Sequence, residues 1–152
     1  MTNYNQQYTN IVEKRVVDLR NMIQDSRIKI KEFTDLNAWR EGHKLVIHVY
    51  KITKSFPREE IYSLVDQMRR AVTSVTSNIA EGFGRQTYKE KVQFYYLAQG
   101  SLVELKNQLI IAKDVSYLNE KEFVELYEQT NITHKLLQGL IKKSKSFIKP
   151  KS

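Results

Sequence analysis

Few residues of this chain are equipped for chemistry, and their spacing argues against catalysis. The 152 residues include three histidines, His43, His48 and His134, and no cysteine. His43 and His48 stand five apart, so on a helix they point in different directions and cannot share a metal as a pair four apart would. His134 falls on an apolar stripe, the place of a core or seam histidine. Without cysteine there are no thiolate nucleophiles, thiolate metal sites or disulfides. The chain has no phosphate-binding Walker loop, no G-x-S-x-G elbow and no E-x-x-H pair of the type that builds metal sites in helical proteins. Gly82-Phe83-Gly84 resembles the start of a dinucleotide loop but lacks the third glycine and the preceding strand, and reads as a helix end. The expectation is a protein that is not an enzyme and carries no metal or cofactor.

Binding chemistry is better represented. The chain has 25 Lys and Arg against 17 Asp and Glu, a formal charge of +8. The surplus sits in two places. One is a line along a single helix, Arg40, Lys44, Lys51 and Lys54, at spacings of four, seven and three. The other is the Lys-rich end, Lys142, Lys143, Lys145, Lys149 and Lys151, which has no acid among its last twelve residues. Lysine and arginine that neutralise phosphates release condensed counterions, so such a surplus suits a polyanion. It serves equally to keep a small protein soluble. Tyr88, Tyr95 and Tyr96 are possible stacking partners for unpaired bases, although aromatic residues at helical spacing also fill cores.

A second polar pattern runs opposite an apolar seam: Gln67, Arg70, Ser74, Ser77 with Asn78, and Glu81, three and four residues apart. A comparable line holds Gln93, Gly100, Glu104 and Gln108, with Ser101 beside it. Small polar residues with glycine suit either a solvated face or the close approach of another backbone, as at a subunit interface or in a buried polar network. Arg70 and Glu104 are candidates for a pair across such a contact.

These residues need elements to position them. With 41% hydrophobic and 28% charged residues, five Gly and two Pro, the composition is that of a folded chain with few turns. Apolar residues follow helical spacing from Asn37 to Ile141. The first run, Trp39, Leu45, Val46, Val49, Tyr50, Ile52 and Thr53, stops near Phe56-Pro57, because proline cannot continue a helix. The second runs from Ile61 through Met68, Val72 and Ile79 to Gly82 and Gly84, where glycine's tolerance of the left-handed conformation ends the helix. Thr87 and Glu90 form a capping box before Phe94, Tyr95, Ala98, Leu102, Leu105, Leu109 and Ala112, and Asn119 and Glu122 form another before Leu126, Thr130, His134, Leu137 and Ile141. No segment there shows the alternation of a strand. Short links force antiparallel neighbours, so the expected fold is all-α: an antiparallel up-down-up-down four-helix bundle over residues 33–143, with a Lys-rich flexible tail at 144–152. Residues 1–32 form an N-terminal arm, helical or disordered, in which Ile11, Val12, Val16, Leu19 and Ile23 mark an amphipathic pattern. No apolar stretch approaches the ~20 residues of a membrane span, and the polar start lacks a signal peptide, so a soluble, cytoplasmic protein is expected.

The stretches F-T-D-L-N-A-W-R at 33–40, F-P-R-E-E at 56–60, Q-M-R-R-A at 67–71, S-N-I-A-E-G-F-G-R at 77–85 and G-S-L-V-E-L at 100–105 occur in order. They closely resemble the bacterial four-helix-bundle family first noticed as proteins encoded by intervening sequences within 23S ribosomal RNA genes. The resemblance covers about Phe33 to Ile141, and S-N-I-A-E-G-x-x-R is its most specific piece. It implies a bundle protomer that assembles into a ring-like homopentamer. A relative of the same fold is the accessory variability protein of diversity-generating retroelements, a basic, barrel-shaped pentamer that partners a reverse transcriptase and nucleic acid. The family supplies no accepted catalytic residues. Asn78, Glu81, Gly82 and Arg85 match its signature and read physically as a structural corner around a helix end. The expected function is that of a non-enzymatic oligomer binding RNA or DNA through Arg40, Lys44, Lys51, Lys54, Lys142, Lys143 and Lys145. The alternative is a protein-interaction scaffold or an accessory subunit of a nucleic-acid enzyme such as a reverse transcriptase.

Overall fold

A computed structural model describes residue 6, residues 9–18 and residues 29–151. All regular structure among them is helical: α1, described over residues 9–18, α2 (Asn37–Thr53), α3 (Leu64–Gly84), α4 (Tyr88–Asp114) and α5 (Glu120–Ser146). Single 3-10 turns at Phe33–Asp35 and Arg58–Glu60 precede α2 and α3. Consecutive long helices pack on each other, α2 on α3, α3 on α4 and α4 on α5, and α2 also packs on α5, so the four enclose a common interior.

The seam expected from the three-and-four spacing is the observed core. Tyr95, Ala98, Leu102, Leu105, Leu109 and Ala112 of α4 are all buried, as are Leu45 and Val49 of α2, Met68, Val72, Val75 and Ile79 of α3, and Leu126, Leu137 and Ile141 of α5. Burying each such side chain contributes about 1.5–3 kcal/mol, so this seam supplies most of the drive to fold. Ile61 departs from the pattern: it lies in the turn before α3 and is exposed.

Both capping boxes form, Thr87 with Glu90 and Asn119 with Glu122. α3 ends at Gly84 as expected, but not through a left-handed glycine: no described glycine has a positive φ. Gly82 serves packing instead: a Cβ there would stand 2.7 Å from Tyr95 Cε1, 2.9 Å from Cδ1 and 3.0 Å from Phe94 Cβ. The missing side chain lets α4 close onto the end of α3. The left-handed residue is Ser116 after α4, at φ 65°. There Tyr117 N–H donates to the Ala112 carbonyl at 2.8 Å and Ser116 N–H to the Lys113 carbonyl at 3.0 Å, the paired bonds of a Schellman ending.

At this end of the molecule the two loops are joined. The Tyr117 hydroxyl donates to Glu60 Oε1 at 2.9 Å, and Ser63 Oγ and Leu64 N–H donate to Glu60 Oε2. The hydrogen bonds from Ser63, Tyr117 and Leu64 hold the Glu60 carboxyl below its usual range.

α1 belongs to the same structure. Val12 and Val16 are buried within the common core cluster, whereas Ile11 is exposed. Leu19 and Ile23 lie outside the described residues. α5 continues to Ser146, beyond the limit at 143 expected for the helical region, and Phe147 stacks on Tyr88 with centroids 4.8 Å apart.

Candidate nucleic-acid interface

The four cations expected along α2 are all exposed, but they differ in what holds them. Arg40 is a clasp at the helix start, its Nε donating to the Thr34 carbonyl at 2.8 Å and its Nη2 lying 3.5 Å from Asp35. Asp35 in turn accepts from the Lys31 and Glu32 backbone N–H groups, which hold its carboxyl below the usual range. Lys44 is bound to Glu41, Nζ to Oε1 at 2.8 Å. Lys51 and Lys54, in the last turn and at the C-cap, have no carboxylate within salt-bridge range among the described residues. The line is therefore two cations committed to structure and two without a carboxylate partner among the described residues.

Glu41 was not apparent in the sequence as anything but a surface acid. Its residue is 2% exposed; Arg15 of α1 approaches Oε1 at 3.9 Å, and Oε2 has no hydrogen-bond partner among the described residues. The neighbouring Gly42 brings α2 close to α3 and α5, its would-be Cβ lying 3.2 Å from Thr76 and 3.7 Å from Thr133. That closeness draws Glu41 inward with it, and the i, i+3 spacing of Lys44 was the one signal of a partner.

Lys142, Lys143 and Lys145 stand on the last turns of α5, exposed and also without a carboxylate partner among the described residues. Two of them are held by rings instead. Lys143 Nζ lies 5.4 Å from the Phe147 centroid and Lys145 Nζ 5.0 Å from that of Tyr96, a half-exposed residue of α4. Tyr96, Gln99, Gln138, Ile141, Lys142 and Lys145 line an open cavity of about 330 Å³ between α4 and α5. A second cavity of about 420 Å³ follows along the same groove; Gln138 lines both, and Thr9, Val12 and Glu13 of α1 join Lys106, His134 and Lys135 in its wall. Tyr95 faces the interior at 1% exposure, where burial, with a smaller effect of Tyr88, pushes its phenol up to about 12.

Each histidine meets a neighbouring side chain. His43 stacks on Trp39 with centroids 4.8 Å apart, His48 Nδ1 meets Gln129 Oε1 at 3.1 Å, and His134 Nε2 meets Gln99 Nε2 at 3.0 Å. With the Gln99 amide donating, the imidazole proton sits on Nδ1, which is buried and without a partner among the described residues. Burial first, then the charge of Lys106, hold the His134 pKa below its usual value.

On the outer side of α3 and α4 the expected polar residues form a network with different pairings. Ser101 Oγ donates to Ser74 Oγ at 2.9 Å, and Asn78 Nδ2 donates to the Ser74 carbonyl at 2.9 Å and to its Oγ at 3.0 Å. This register sets Arg70 level with Glu104, yet the two do not pair. Arg70 Nε binds Asp66 at 3.0 Å, one turn back on α3, and Glu104 accepts from Gln108 at 3.3 Å. Gln108 is 3% exposed with Oε1 unpartnered among the described residues, while Gln67 is exposed. At the corner, Arg85 caps α3, binds Glu81 at 2.6 Å and lies 4.4 Å over the Phe94 ring. Beside the network, α4 exposes Leu97 and Ile111, with Gly100 between them and nothing within 4 Å of its would-be Cβ; Val103 and Ile110, also exposed, follow Tyr96 at seven-residue steps on the side toward α5.

No helix among the described residues is long and apolar enough to cross a membrane. No curated protein matches the chain. A solved structure from Bacteroides thetaiotaomicron, described as a protein of unknown function from the S23 ribosomal protein family, is similar in fold: TM-score 0.65 at 18% identity, over 69% of this chain and 95% of that one. The family pattern of the 23S rRNA-intervening sequence protein matches residues 34–139, from the turn before α2 almost to the end of α5. That span contains the Ser74–Asn78–Ser101 network, the Gly82 contact and the Arg85 corner, and on it the chain belongs to the 23S rRNA-intervening sequence protein family.

Proposed function

We propose that this protein is a non-enzymatic homo-oligomer that binds nucleic acid through basic surfaces, its helices α2–α5 forming an antiparallel up-down-up-down bundle. The observation that carries the binding is the uncompensated charge at the end of α5: Lys142, Lys143 and Lys145 are exposed on an ordered helix with no carboxylate partner among the described residues. Lys51 and Lys54 add to it, whereas Arg40 and Lys44 spend much of their charge on Asp35 and Glu41. Fixed lysines without local counterions neutralise phosphates at little ordering cost, and repetition in an oligomer multiplies the field. The family name points to a ribosomal RNA setting, and RNA is the first nucleic acid to test.

Assembly is supported by the outer face of α3 and α4. Leu97 and Ile111 are each more than two-fifths exposed, an apolar strip with Gly100 between them beside the half-buried Ser74–Asn78–Ser101 network. A cyclic arrangement, a pentamer by family resemblance, would cover it. The test is anisotropy with labelled RNA over a salt series, together with sedimentation velocity. Affinity should fall steeply with salt, and replacing Lys142, Lys143 and Lys145 together by Gln should flatten the log–log slope by about 0.7–0.9 per lost phosphate contact. Salt-insensitive binding, or none at low salt, refutes the binding; a monomer at every concentration refutes the assembly. The same stripe favours a second reading, an accessory subunit that docks a nucleic-acid enzyme such as a reverse transcriptase. A protein partner that survives nuclease treatment and is lost with Leu97→Asp would support it.

A further inference from the structure

We infer that the groove between α4 and α5 around Tyr96 is a site for unpaired bases, so that the protein prefers single-stranded nucleic acid to a duplex. The inference rests on the binding proposed above and assigns it a location and a strand state. Tyr96 is 45% exposed, too open for a core residue, and it lines a cavity of about 330 Å³ with two lysines and two amides. Lys145 Nζ, 5.0 Å from the ring centroid, makes this aromatic surface cationic. Lys142 lines the same cavity, so charge for a phosphate flanks a surface on which a base can stack.

The amides supply hydrogen bonding to a base edge. Gln99 is fixed by its 3.0 Å contact with His134 Nε2; its Nε2 is engaged there, which leaves Oε1 to accept from an exocyclic amine. Gln138 lines both this cavity and the larger one beside Lys106 and Lys135, so the groove continues along α5 from Lys145 to Lys135, about 15 Å at 1.5 Å per residue. A duplex keeps its base faces stacked on one another and can offer only phosphates here. An unpaired strand offers faces, edges and phosphates together, which matches the ring, the amides and the lysines.

The test uses the full chain with a labelled 12-nucleotide oligoadenylate, whose bases carry the exocyclic amine, and a 12-base-pair RNA duplex, each over a salt series, and AMP as a competitor. Tyr96→Ala should weaken single-strand binding about tenfold or more without changing its salt slope, and leave the duplex unaffected; Tyr96→Phe should restore most of the affinity. Lys142→Gln with Lys145→Gln should weaken both and flatten the slope. Equal losses of Tyr96→Ala on strand and duplex, or no loss, overturn the inference while the general binding stands. Full competition by AMP overturns it in favour of a free-nucleotide pocket. Wild-type protein that binds neither RNA at low salt removes both proposals. Circular dichroism melting of each variant separates loss of the site from loss of the fold.

Discussion

Replacing Gly82 by alanine sets two opposed effects against each other at one position. In a helix interior the change from glycine to alanine is favourable by about 1 kcal/mol, because glycine loses more backbone entropy on folding. Against it stands the packing of α4 on the end of α3. The new methyl would lie 2.7 Å and 2.9 Å from two ring carbons of Tyr95 and 3.0 Å from Phe94 Cβ. Tyr95 is 1% exposed and held by the core on its other sides, so its ring cannot swing clear as a flexible chain end would. Overpacking of this kind costs about 1–3 kcal/mol, and three simultaneous close contacts place it toward the upper end. The expected net loss is about 1–2 kcal/mol, or roughly 3–6 °C in Tm for a domain of this size. Urea denaturation followed by far-ultraviolet circular dichroism would measure it. Gly139→Ala, where nothing lies within 4 Å, is the control and should gain about 1 kcal/mol. In a Tyr95→Leu background the Gly82→Ala penalty should shrink to what the Phe94 Cβ contact alone imposes, since the ring that opposes the methyl is gone. A Gly82→Ala protein as stable as the wild type would refute the close-approach account and return Gly82 to an ordinary helix-end residue.

Other consequences are open to measurement. Lys44→Met should cost about 1–3 kcal/mol, because among the described residues it leaves the buried Glu41 carboxylate with only the distant Arg15, and Glu41→Gln in the same protein should recover part of the loss. The lowered pKa of His134 means that the unfolded chain takes up this proton first; its contribution is complete above the ordinary value of 6.5 and is lost as pH falls from there through the lower folded value. His134→Gln should therefore flatten stability against pH just below neutrality. Tyr117→Phe should let the Glu60 carboxyl rise back toward its usual range in an NMR titration, which removes stability that Glu60 contributes above that range and loses in acid. Ser116→Gly should add up to about 1 kcal/mol by relieving a non-glycine residue at positive φ, visible as a higher urea midpoint.

How much was legible depended on whether a feature is local. The α4 seam, the capping boxes at Thr87 and Asn119 and the stop before Pro57 follow from the periodicity of one helix and from backbone groups a few residues away, and the structure shows all of them. The Arg85–Glu81 pair is likewise four residues long and was within reach. Arg70 illustrates the limit: it is level with Glu104 across the α3–α4 contact, but a carboxylate on its own helix, Asp66, takes it. Lys44 looked like one of a line of free cations until the inward Glu41 claimed it.

The sequence by itself determined that the chain is helical, where the capped helices α4 and α5 begin, which stripe is apolar and that the molecule is basic, because each is set by residue type and spacing along one element. Only the tertiary structure decided that Gly82 is a contact rather than a left-handed cap, that Val12 and Val16 of the arm join the core, and that Lys145 and Lys142 meet Tyr96, Gln99 and Gln138 in one groove. These depend on the register and closeness with which separate helices pack, and side-chain spacing within a helix does not contain that distance.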